Sequence, residues 1–332
     1  MMAVLRPRGP IPIRPTPGAR RTTSIDVVWP QGRRGGMRLI GHGRDILRLD
    51  AHAAPTVLAQ EQLCLDLGPD RRVHAVAAIP THAALDRLLG PGQEVRTALR
   101  ALLDAGALAH TPVYQLADDM PGVMVVADWA WSRWPELVDP DEMSRRTTKL
   151  SRMEGVCIGF RPGSSALQTG GAYQDDMAVP VPLPQHPDDP HGWHPMTEFA
   201  EVSLRRARCI DVWIEGERLQ MEAYFQDSGT APDGSRVAVH EYTVHGYADW
   251  STGLLRQLRA TPHVLPFPEC QDAVERMNAL IGLPLDSLRT TVPELLGRTR
   301  GCTHLNDALR ALADVPRLAR QLRQGMGSGT AD

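Results

Sequence analysis

The chain has 332 residues, 42% of them apolar and 23% charged, with a net charge of -3. These proportions are those of a globule with a sizeable core, longer than one typical domain of about 100 to 200 residues, and they exclude a disordered chain. Acids balance the arginines, so there is no basic footprint of a nucleic-acid binder. No run of about 18 apolar residues is present to span a membrane.

Residues 1–18, "MMAVLRPRGPIPIRPTPG", combine basic residues with prolines and lack a continuous apolar stretch. They read as a disordered head rather than a secretory signal, and a cytoplasmic protein is expected. A first α+β unit is expected over 19–116, opening on the strand "RRTTSIDVVW" and closing through "LLGPGQEVRTALRALL" and "HTPVYQLADD". Residues 117–178 read as an insertion, with the Trp-rich amphipathic segment "VMVVADWAWSRWPELV" and then a Gly- and Ser-rich stretch. Such a segment serves either as a lid over a pocket or as apolar glue between units. "VPVPLPQHPDDPHGWHP", 179–195, is Pro-spaced and reads as an extended linker.

The second α+β unit is expected over 196–324. "CIDVWIEGE", "RLQMEAYFQD" and "VAVHEYTVHGYAD" alternate as antiparallel strands, the last two joined by the turn "APDGSR". Period-two alternation puts Ala238, His240, Tyr242 and Val244 on one face and Glu241 on the other. Helices follow: "CQDAVERMNALIG", "LDSLRTTVPELLG" and "THLNDALRALADVPRLARQLRQG", the first two stopping at Gly282 and Gly297. Residues 325–332 read as a tail. Strands followed by helices indicate an α+β fold with helices on one face of an antiparallel sheet.

The two units share collinear matches. "RRTTSIDVVW" from Arg20 resembles "RRARCIDVW" from Arg205, "LLGPGQEVRTALRALL" resembles "LIGLPLDSLRTTVPELL", and "HTPVYQLADD" falls where "CTHLNDALRALAD" falls. A diverged internal duplication is expected. The repeated Arg and Asp, Arg21 with Asp26 and Arg206 with Asp211, suggest a structural ion pair in each unit.

"LRRARCIDVWIEGERLQMEAYFQD", "PDGSRVAVHEYTV", "LPFPEC" and "GRTRGCTHLNDALRALA" resemble the DUF2889 family, a bacterial family of unknown function, over about residues 200–320. The resemblance points to a Gly-Cys-Thr-His-Leu segment (Gly301 to Leu305), an upstream Cys270 and a strand histidine, His240. It also implies a small apolar or acyl-type metabolite. The first unit departs from the pattern: "AHTPVYQL" lacks the Cys and His, and "IPTHAAL" has His82 where "LPFPEC" has its cysteine. Any polar site is therefore expected in the second unit.

The candidate catalytic residues are Cys302, His304, His240 and Cys270. Thr303 is expected to cap the last helix, leaving Cys302 just before its N-terminus, where a thiol is readily ionised. His240 is a candidate acid or base. A Cys, His and Asp arrangement needs an acid, for which Asp211 and Asp307 are candidates. The same Cys and His residues are ligand types for a metal, without any chelating spacing such as Cys-x-x-Cys. Five scattered cysteines favour free thiols. "GSSALQTGG" lacks a P-loop lysine, so no nucleotide cofactor is indicated. Three classes of function remain: an enzyme acting on a small apolar or acyl-type metabolite, a non-catalytic ligand- or partner-binding protein, and a metal-dependent hydrolase or lyase.

Overall fold

The computed structural model of the chain describes residues 6–13, 15–91, 98–99, 101, 106, 108–139, 150–168 and 177–328. Its framework is an antiparallel sheet with helices, the α+β class expected. Strands β1 (Gly18–Val28), β2 (Met37–Arg48), β3 (Thr56–Leu67) and β4 (Arg72–Ile79) form one meander, extended by the two-residue β5 (Gly90–Pro91). Strands β7 (Ser203–Glu215), β8 (Arg218–Thr230), β9 (Arg236–Asp249) and β10 (Leu255–Val264) form another. The first strands of the two meanders pair with each other, so the order is β10-β9-β8-β7-β1-β2-β3-β4-β5 in one continuous sheet. The short β6 (Val179–Val181) pairs with β9.

Helices α1 (Pro112–Val126), α2 (Leu288–Leu296), α3 (Thr303–Ala311) and α4 (Val315–Ser328) cover one face. Helix α1 starts where Pro112 has a preset helical φ and Thr111 accepts a hydrogen bond from the Tyr114 amide at 3.2 Å. It lies close on β2 because Gly41 and Gly43 are bare there; a Cβ on Gly43 would meet Pro112 at 2.7 Å. This helix spans the boundary expected between 116 and 117, so the start of the Trp-rich segment continues an element of the first half.

The opposite face of the central strands is also covered. Residues of the expected head and connector pack there: Ile11 and Trp193 are buried with Cys209 and Tyr224, and His194 bonds to Thr22 and Ser24 of β1. The tail expected from 325 begins inside α4; residues 329–332 lie outside the described ones.

With both faces covered, β1 and β7 bury a run of charged side chains, and burial demands that each be paired. Arg20 grips Asp211 through two bonds of 2.6 Å, and Arg205 grips Asp26 at 2.7 and 3.1 Å, reciprocally across the β1–β7 seam. Arg21 pairs with Asp45 and Asp314, and Arg206 with Asp227 and Asp307. The pairings expected within each unit, Arg21 with Asp26 and Arg206 with Asp211, are thereby corrected. Residues five apart on a strand point to opposite faces and stand roughly 17 Å apart, so they never meet.

Candidate functional site

A β-bulge sets the site. The β8–β9 register slips between Asp227 and Ser228, pairing Asp227 with His240 and Ser228 with Ala238, so Val239 is passed over. Val239 then packs with Val237, while Ala238 packs with Val181 and Val264. Ala238 therefore leaves the face it was expected to share with His240 and Tyr242, because strict alternation fails at a bulge. The bulge brings His240 opposite Asp227, beneath the start of α3.

At that start the N-cap is Cys302, whose side chain makes no capping bond; Thr303 is the first helical residue. The expected Thr303 cap is thus corrected. Cys302 has extended backbone angles and its carbonyl accepts the Asn306 amide at 2.8 Å, which are the properties of a cap position. Thr303 Oγ1 instead lies 3.3 Å from His304 Nδ1. Gly301 cannot carry a side chain here, since a Cβ would meet the Leu296 carbonyl oxygen.

His304 reaches down onto His240. The two rings stack with centroids 3.5 Å apart and planes inclined by 20°. His240 Nδ1 lies 3.4 Å and His304 Nε2 3.7 Å from Asp227 Oδ2. Neither nitrogen has a well-formed hydrogen bond among the described residues. Behind them Arg206 holds both oxygens of Asp227, at 2.8 and 2.9 Å.

Three thiols stand beside the histidines. The Tyr242 hydroxyl donates to Cys302 Sγ at 3.5 Å, and Cys270 follows Phe267 in a tight turn, Pro268–Gln271. Cys157 comes from the segment before Ile158–Phe160, which is tied to the α3 approach by the Ile158 amide bonding to the Gly301 carbonyl at 2.9 Å. Gly159 permits this approach, since a Cβ there would meet Cys270 Sγ at 2.9 Å. All five cysteines of the chain are free.

Electrostatics differentiate these groups. The Cys270 thiol donating to Cys302, helped by His304 and His240, outweighs burial and holds the Cys302 thiol well below its ordinary value. The same bond and burial push Cys270 up, and burial with the nearby Cys302 pushes Cys157 up to about 11. Burial and then His304 push His240 down to about 4. Burial would raise Asp227, but Arg206 and His240 outweigh it and hold the carboxylate below its usual range.

The candidate residues border one cavity of about 890 Å3, lined among others by Cys302, His304, His240 and Cys270. Trp29, Met37, Trp129, Met153, Phe160 and Phe267 supply apolar wall, so the cavity draws on both halves of the sheet and on the segment around 150–160. Arg33, Arg34, Arg71 and Arg152 lie on its lining; Arg71 bonds Asp128 at 2.6 Å and Arg34 stands 3.7 Å from Asp139.

Sequence reasoning missed Asp227 and Cys157. The acids weighed for a Cys, His and Asp arrangement are engaged elsewhere: Asp211 holds Arg20 on the far face, and Asp307 holds Arg206 at 2.8 Å. Asp227 had no signal in the sequence: the register that the "APDGSR" turn sets would put it opposite Val239, and only the bulge brings His240 there. Other histidines do not join the site. His82 lies 3.9 Å from Glu61 in the first half, and His194 is held by Thr22 and Ser24.

Residues 204–317 match the family model DUF2889, described as a protein of unknown function. That span contains Asp227, His240, Cys270, Cys302 and His304, while Trp29, Cys157 and the lining arginines fall outside it. Comparison with curated proteins found no match, and neither did comparison with solved structures. No described helix is long and apolar enough to cross a membrane.

Proposed function

We propose that this protein is an enzyme acting on a small apolar or acyl-type metabolite that carries an anionic group, with its reacting end at His240, His304, Cys302 and Cys270. The observation that carries the reading is the meeting of an apolar cavity of about 890 Å3 with a buried polar floor. That volume suits a metabolite, and apolar walls with a few convergent polar groups are what small-molecule sites share. Guanidinium groups on the lining suit a carboxylate or phosphate on the ligand. The polar floor has no structural need to be so elaborate, since buried imidazoles without good partners cost stability.

The free thiols support a reducing setting, and with the family resemblance they favour the cytoplasm of a bacterium. We also read the two meanders as diverged copies. The equivalent registers of Arg21 with Asp45 and Arg206 with Asp227, and the reciprocal pairs across the seam, support that reading. On it, the second copy carries the chemistry and the first supplies wall.

The test uses the full chain, the tryptophan fluorescence of Trp29 and Trp129, and a panel of octanoate, hydrocinnamate and octanoyl-CoA. Saturable quenching by the anionic apolar compounds, with turnover of the thioester read as released thiol, is expected. His304→Ala, folded by circular dichroism, is expected to keep binding and lose turnover. Absence of binding across the panel overturns the reading. Binding without turnover overturns its enzymatic part in favour of a ligand-binding protein.

A further inference from the structure

The stacked histidines bring two imidazoles to one buried carboxylate without forming a well-made hydrogen bond to it. Two imidazole nitrogens, His240 Nδ1 and His304 Nε2, lie 3.4 and 3.7 Å from one carboxylate oxygen, Asp227 Oδ2, and neither has a hydrogen-bond partner among the described residues. The three atoms all lie within 4.8 Å of one another. Tetrahedral ligands about 2.1 Å from a zinc ion stand roughly 3.4 Å apart, so two of the three separations are already those of a coordination edge. All three residues are buried, Asp227 fully so.

We infer that Asp227, His240 and His304 form a binding site for one divalent transition-metal ion of the zinc type. Imidazole and carboxylate are a ligand pair for such ions, and three protein ligands with one open position are the form of catalytic rather than structural sites. His240 and His304 border the cavity and Asp227 lies behind them, so a bound ion would sit directly beneath the cavity floor. The inference deepens the enzymatic reading and rests on it for the ion's use, though not for its binding.

Arg206 is the obvious objection, since it already holds Asp227. Its guanidinium occupies one lone pair on each oxygen, leaving Oδ2 the one that faces the imidazoles. Ligating carboxylates are usually hydrogen-bonded from behind in this manner, which fixes their orientation. Arg206 is also offset by Asp307 at 2.8 Å and Asp119 at 3.8 Å, so the region is not left cationic. Cys302 stands apart from the set, because its sulfur is not among the atoms that close to within 4.8 Å. When bound, the ion would supply a Lewis acid against a carbonyl or phosphoryl oxygen at the cavity floor.

The test takes the full chain, stripped with a chelator and shown to be folded, and titrates it with Zn2+ by calorimetry and with Co2+ by visible absorption. One ion per chain is expected, with tetrahedral cobalt bands and no thiolate-to-cobalt charge-transfer band. His240→Gln and His304→Gln are each expected to weaken Zn2+ binding by more than about 100-fold, beyond the range for outer-shell changes. Cys302→Ser is expected to leave it within a few-fold. Asp227→Asn frees Arg206 and can unfold the chain, so the test relies on the two histidine variants. No stoichiometric binding, or undiminished binding in folded His240→Gln and His304→Gln, overturns the inference. A strong thiolate band overturns the ligand set. Octanoate binding to stripped protein that takes up no ion sinks the metal site alone, whereas ion uptake without ligand binding sinks the enzymatic reading alone.

Discussion

Gly159 and Arg206 show how narrowly the site is built at the scale of single residues. A Cβ on Gly159 would stand 2.9 Å from Cys270 Sγ and 3.3 Å from Phe267 Cδ2, closer than side chains ordinarily approach. Gly159→Ala is therefore expected to cost about 1 to 3 kcal/mol, the usual range for overpacking. Because the clash is mainly with one sulfur, Cys270→Ala in the same chain should recover part of that loss, and a double-mutant cycle by urea denaturation measures the coupling. Strictly additive losses would show that the loop and the Cys270 turn do not touch in the manner described. Arg206 acts through charge instead. It is 1% exposed and holds Asp227 and Asp307 together. Arg206→Ala strands two buried carboxylates and is expected to cost about 3 to 5 kcal/mol. A loss under about 1 kcal/mol in denaturant melts would contradict the pairing. None of this was legible from the sequence: Cys302, His304, His240 and Cys270 stood out as reactive types, but Asp227 and Gly159 have meaning only through a strand register and a long-range approach.

At the scale of elements, local chemistry was readable where the partner is near in sequence. The hairpin at "APDGSR" and the stops at Gly282 and Gly297 follow from turn and cap propensities: β8 ends at Thr230 and β9 starts at Arg236, a 3-10 turn over Met277–Leu280 ends before Gly282, and α2 ends at Leu296. The bulge at Val239 escaped because nothing in "VAVHEY" departs from alternation; only pairing with β8 reveals it. The Pro-rich stretch 179–195 escaped for a different reason. Its composition is that of a solvated linker, yet His194 is buried against β1, with its two nitrogens 2.9 Å from Thr22 Oγ1 and 2.8 Å from Ser24 Oγ. Burial, then the positive potential of His42, Arg44 and Arg205, pushes His194 down from 6.5 to about 3. The unfolded ring takes a proton near 6.5 while the folded ring refuses one until about 3, so the unfolded chain binds more protons between those values. Stability from this group is full above 6.5 and falls as pH drops toward 3, by up to roughly 1.4 kcal/mol per unit. Urea melts of the wild type and His194→Asn at about pH 7, 6 and 5 should show the variant with the flatter dependence. Identical slopes would mean that the ring is solvated and the segment does not cover the sheet.

At the scale of the molecule, the composition and length pointed to two units, and the described residues contain two meanders; whether they behave as two bodies is a question of what crosses between them. Strands β1 and β7 pair along ten residues, from Ala19 opposite Val212 to Val28 opposite Ser203. Both ion pairs on that seam, Arg20 with Asp211 and Arg205 with Asp26, join the halves. So do the contacts above it: Asp119 of α1 takes Arg208, Asp118 takes Arg289 of α2 and Arg310 of α3, and Arg21 of β1 takes Asp314. Each of these arginines, all buried except the part-buried Arg310, has a partner carboxylate in the other half, so opening the seam would expose a row of unpaired charges together with two strand edges. Such an opening costs several kcal/mol per broken buried pair, which leaves no partly unfolded state with one half intact. A single cooperative transition is therefore expected despite the chain's length, with tryptophan emission, weighted to Trp29, Trp129 and Trp193, and far-ultraviolet circular dichroism superimposing through a urea melt. Reversing one seam pair, Arg20→Asp with Asp211→Arg, tests the cause: the double variant should recover most of the stability either single change removes. Two separated transitions in the wild type would mean that the halves fold as independent domains and that the seam charges are not what binds them.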